Sequence, residues 1–124
     1  MCVDISHYLF NQYKANGRQY PYLDCYGLIC YVYKRELNID LDLATEFDYK
    51  TMTSGYERVK TMFEEVKTEP KTFDIVCFFK HNVLCHVGIY IDDHILESSR
   101  KKGMSFTKFI KKPYHRLYRL KVTI

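Results

Sequence analysis

Five cysteines occur in the chain, at positions 2, 25, 30, 77 and 85, and the surroundings of Cys25 favour chemistry. A helix should begin at Asp24-Cys25, so that Cys25 opens a run with helical apolar spacing. Unpaired N–H groups and the positive end of the helix dipole meet at such a position. They stabilise a thiolate, the nucleophilic form of cysteine. A cysteine in an apolar helix also serves as a small inert core residue, so the nucleophile reading needs a partner base.

The segment HVGIY, residues 86 to 90, offers one. Strand alternation puts His86, Gly88 and Tyr90 on one face and Val87, Ile89 and Ile91 on the other. Gly88 leaves space beside the imidazole for backbone or substrate; the plainer reading is a satisfied histidine on a sheet surface. A third group follows from parity. If the strand turns through Asp92 and Asp93, or through four residues, cross-strand pairs sum to an odd number. Glu97 then shares the face of His86 and His94 lies opposite; a one-residue bulge reverses the assignment. A carboxylate on one ring nitrogen would fix the tautomer and favour a thiolate–imidazolium pair. An exposed sheet-edge glutamate is the alternative for Glu97.

These residues must be positioned by helices that precede a sheet. Asp4 caps a first helix running to about Ala15, with Asn16-Gly17 as its stop. The helix opened by Cys25 runs to about Leu37, carries apolar residues nearly all the way round, and is therefore central. Residues 38 to 53 read as irregular. Ser54 precedes GYERVKTMFEEVK, a charged surface helix closed off by Pro70. From Phe73 the period becomes that of strands: FDIVCFF, LCHVGIYI, HILES, and a last strand near YHRLYRLKV. Helices followed by a mostly antiparallel sheet read as α+β.

The 124 residues, 47% hydrophobic with 12 Tyr and 8 Phe, suit one domain spanning 1–124 and exclude a disordered chain. The formal charge of +4 is spread along the sequence. The densest basic stretch, Arg100 to Lys102 with Lys108, Lys111 and Lys112, has no recognition motif beside it, so no nucleic-acid partner is expected. No cysteine pair has C-x-x-C spacing, so no zinc site is expected, and an odd count points to a reduced compartment. Neither an export signal nor a membrane span is expected.

The segments DCYGLICYVYKREL (24 to 37), FDIVCFF (73 to 79) and HVGIYIDDHILESS (86 to 99) resemble, in the same order, those of NlpC/P60 cysteine peptidases, particularly versions found in bacteriophage tails. The resemblance covers most of the chain from Tyr20 to Ser99. It implies a papain-like α+β fold, with Cys25 matching the nucleophile and His86 the base. Glu97 matches the third polar position, which is usually histidine in the family. The upstream tyrosine near the oxyanion site corresponds to Tyr20 or Tyr22; the segment QYPYLDC lacks the usual glycine pair and leaves both open. The implied reaction is covalent hydrolysis of an amide without metal or organic cofactor, on peptidoglycan stem peptides. The phage-tail likeness implies a virion location after assembly in the host cytoplasm, other tail proteins as partners, and a tail protein as a second possible substrate.

Two alternatives stand beside this. A thiol acyltransferase of the same general fold places its HVGIY-like histidine before the nucleophile, whereas here Cys25 precedes His86. A tail-tip structural or plug protein would keep the fold without turnover.

Overall fold

The computed structural model describes residues 3–41 and 62–121. Helix α1 (Ile5–Leu9) and the short strands β1 (Arg18–Gln19) and β2 (Tyr22–Leu23) precede helix α2 (Cys25–Leu37). Strands β3 (Phe63–Val66), β4 (Ile75–Lys80), β5 (Val83–Ile91), β6 (His94–Ser99), β7 (Gly103–Lys108) and β8 (His115–Leu120) follow. These six form one sheet in the order β3-β8-β4-β5-β6-β7, each neighbouring pair antiparallel. The described residues form a small α+β fold, with α1 and α2 beside an antiparallel sheet.

The core explains why α2 is apolar on nearly every side. Leu28, Ile29, Val32 and Tyr33 are all but inaccessible and pack in one cluster with Ile75, Cys77, Val87, Ile89 and Leu96 of the sheet. Val76, Tyr90, Ile95 and Leu117 form a second cluster, joined by Phe78 and Phe109. Helix α2 stops at Asn38, which takes the left-handed conformation (φ 55°) and donates its N–H to Lys34 O. Asparagine tolerates that geometry better than most residues.

Three elements differ from the sequence reading. Helix α1 ends at Leu9 rather than near Ala15, because the backbone beyond it pairs elsewhere. Gln12 N–H donates to Pro21 O, and Leu23 N–H donates to Gln12 O. The charged helix expected over residues 55 to 67 does not continue to its expected end: Met62 is helical but Phe63–Val66 is a strand, and residues 55 to 61 lie outside the described residues. Four residues there pair with β8, from Phe63↔Leu120 to Val66↔Leu117, and Phe63 is buried edge-on against Tyr33. That sheet pairing outweighs the local helical spacing. Strand β7 was not anticipated; it pairs along all of β6, from His94↔Lys108 to Ser99↔Gly103.

Candidate active site

Asp24 and Cys25 occupy the start of α2. The Asp24 carboxylate accepts from Gly27 N–H at 2.7 Å, a helix cap, and is itself held by Arg18 at 2.6 Å. Asp24 is only 3% exposed, so the guanidinium supplies the counter-charge that its burial requires. Gly27 has a packing reason to be glycine: a Cβ there would lie 2.0 Å from Gly17 O. The segment that carries Arg18 thus sits directly on the first turn of α2. Ser98 of β6 adds a buried bond of 2.6 Å to Leu23 O, tying the strand that bears Glu97 to the residues just before Cys25.

His86 lies on β5 beside a register irregularity. Phe78 pairs with His86 but Phe79 pairs with Leu84, so Cys85 is the extra residue of a β-bulge. Bulges re-aim the side chains next to them. Leu84 and Val87 both join the α2-side cluster despite their odd spacing, which the bulge accounts for. The bulge leaves Cys85 exposed, with its thiol on Phe78 O at 3.3 Å.

Beyond the bulge the pairing is regular. Asp92 and Asp93, with φ of 50° and 65°, form a two-residue turn of the kind that matches strand twist. The pairs Ile91↔His94, Tyr90↔Ile95 and Ile89↔Leu96 follow. In that register Glu97 falls beside Gly88, on the side of His86. The Glu97 Oε1 oxygen lies 2.9 Å from His86 Nε2. A Cβ on Gly88 would meet Ile95 Cδ1 at 2.8 Å and Glu97 Cγ at 3.0 Å. The missing side chain is therefore space that the stem of Glu97 occupies. His94 is elsewhere, its Nδ1 on Asp92 O at 2.8 Å and its ring stacked on Phe106.

Nε2 is engaged by Glu97, which leaves Nδ1 as the nitrogen free to face a thiol. Burial by itself pulls the His86 imidazole down, but hydrogen bonds with the Cys25 thiol and the Glu97 carboxylate, and the charges on both, push it up to about 9. The imidazolium is therefore the prevailing form at neutral pH. Two other described thiols are disfavoured as nucleophiles: burial raises Cys77 strongly and Cys85 to a lesser degree.

Cys25 and His86 open onto a cleft of about 840 Å³, whose walls include Tyr13, Asn16, Lys80, Ser99 and Arg100. Neither tyrosine expected at the oxyanion position lines it. Tyr20 donates its hydroxyl to His7 O at 3.0 Å, and its ring packs against those of both His7 and Tyr31, which also touch each other. Tyr22 is 50% exposed, beside Lys14. Tyr13 stands in the cleft instead. Its placement depends on the backbone pairing of Gln12 with Pro21 and Leu23, which no local pattern announces. Among the described residues, no group of three or more His, Cys, Asp or Glu side chains is placed to hold a metal ion. No helix among them is long and apolar enough to cross a membrane.

Compared with known families, residues 11–122 match the NlpC/P60 family. None of the curated proteins compared with the chain matches it.

Proposed function

The chain belongs to the NlpC/P60 family, whose members are generally cysteine peptidases or amidases acting on peptidoglycan, and we propose that it hydrolyses an amide bond in peptidoglycan stem peptides. The observation that carries this reading is the imidazole of His86, bonded to Glu97 through Nε2 and partnered with the thiol that opens α2.

The chemistry follows from those positions. The Cys25 sulfur attacks the amide carbonyl while His86 is an imidazolium. Cys25 N–H occupies the first helical position and has no intrahelical acceptor. With the Tyr13 hydroxyl it supplies donors for the oxyanion. His86 Nδ1 then gives its proton to the departing amine, and the acyl group remains on sulfur. A water deprotonated by the now neutral imidazole releases the acid product and restores the thiolate–imidazolium pair. Glu97 holds the ring orientation and stabilises the imidazolium throughout.

The likeness of segments 24–37, 73–79 and 86–99 to phage-tail members of the family supports a role in local wall cleavage by a virion, with other tail proteins as partners. A tail protein is the second substrate this reading allows.

The test is digestion of purified peptidoglycan followed by mass spectrometry of the released fragments. A new amine and carboxylate pair within the stem peptide is expected, and its mass names the bond. Intact stems from every wall chemistry tried, together with an unlabelled Cys25 after thiol-directed alkylation, would overturn the proposal.

A further inference from the structure

Two hairpin tips flank the cleft at one end of the sheet. One joins β4 to β5 and carries Lys80 and His81; the other joins β6 to β7 and begins at Arg100. Because β5 and β6 are antiparallel neighbours, the start of β5 and the end of β6 lie at the same end. Lys80 and Arg100 thereby stand on the walls of the space in which Cys25 and His86 meet.

The cleft has little to balance them. Asp24 is the one acidic residue among its described lining, and its carboxylate is spent on Arg18 and on Gly27 N–H. Glu97 is committed to His86. Among the described residues neither Lys80 nor Arg100 is held in an ion pair. Two unmatched cations on the walls of a concave site focus a positive potential onto whatever enters it. A guanidinium and an ammonium are also the side chains that bind a carboxylate best.

We infer that the site selects for substrates bearing a free carboxylate close to the scissile amide, and that Lys80 and Arg100 are the residues that recognise it. The inference rests on the peptidoglycan reading and narrows it. A stem peptide in which D-glutamate is linked through its γ-carboxyl keeps the α-carboxylate free, separated from the scissile carbonyl by the α-carbon and two methylenes. Where that carboxylate is amidated, the same position offers the two cations only a neutral carboxamide. The protein is thus a discriminator between stems with glutamate and stems with isoglutamine at the second position.

The probes are two synthetic peptides blocked at the C-terminus, L-alanyl-γ-D-glutamyl-L-lysinamide and the same peptide with the glutamyl α-carboxylate converted to a carboxamide, so that this carboxylate is the only one either peptide can carry. Affinity is measured by calorimetry on the Cys25→Ala protein, and cleavage on the unaltered protein. The acid form is expected to bind about tenfold more tightly than the amide, the ratio of one charge-assisted contact in a solvated cleft. Adding Lys80→Met and Arg100→Met together should bring that ratio close to one. Equal binding of the two peptides, absence of binding to either, or a ratio that survives loss of both cations would overturn the inference. Selective binding of the acid form without cleavage by the unaltered protein would uphold the selectivity and count against the hydrolase reading alone.

Discussion

Replacing Glu97 with glutamine separates what its charge does from what its shape does. The amide oxygen of Gln can still accept from His86 Nε2–H over the 2.9 Å that the carboxylate spans. The tautomer and ring orientation are therefore retained, and what disappears is a negative charge beside a half-buried imidazolium. A hydrogen bond to a charged partner contributes about 1.5–3 kcal/mol, equivalent to roughly one to two pKa units. His86 is raised to about 9 in the native site, so the variant imidazole should titrate at roughly 7 to 8. The sign follows from the role: the imidazolium is the proton donor, so activity is present below this pKa and lost as pH rises through it. The assay is kcat/KM against pH, read as release of new amine from a stem peptide. At pH 6 the variant should lie within about twofold of the native protein, and at pH 8.5 it should be about tenfold slower. An alkaline limb that stays near 9, or a loss of equal size at every pH, would refute the electrostatic argument.

Other substitutions probe the supports of the site. Gly88→Ala forces a methyl against Ile95 and Glu97; it should lower kcat by roughly tenfold and stability by about 1–3 kcal/mol, measured by turnover and urea melts. Ser98→Ala strands the buried Leu23 carbonyl and should cost about 1–3 kcal/mol in a denaturant titration. Tyr13→Phe removes a hydroxyl from the cleft and should reduce kcat by about a hundredfold with little change in KM. Tyr20→Phe, whose hydroxyl is on His7 O, should leave kcat within about twofold, and equal losses at the two tyrosines would undo the assignment of Tyr13.

The parts of this arrangement legible in the sequence are those set by neighbours in the chain. The start of a helix at Asp24-Cys25 and the apolar run to Leu37 are local signals, and α2 carries both. The side of the sheet on which Glu97 lies was readable because a two-residue turn fixes the parity of a hairpin. What escaped depends on distant pairing. FEEV has the spacing of a helix turn and becomes strand only because β8 offers it an edge. Tyr13 reaches the cleft through a backbone bridge to residues about ten positions later. The bulge that exposes Cys85 and re-aims His86 is visible only in the pairing of β5 with Phe78 and Phe79.

The central claim is that one thiol, activated by one histidine, cleaves an amide in the cell wall. Its most direct test compares the native protein with Cys25→Ala and His86→Ala on the same purified peptidoglycan, with released stem fragments quantified by mass spectrometry and folding checked by circular dichroism. The account predicts cleavage at a single stem-peptide amide by the native protein, and a loss of at least about a thousandfold in either variant with the fold intact. Fragment release by folded Cys25→Ala at a rate near that of the native protein would contradict it.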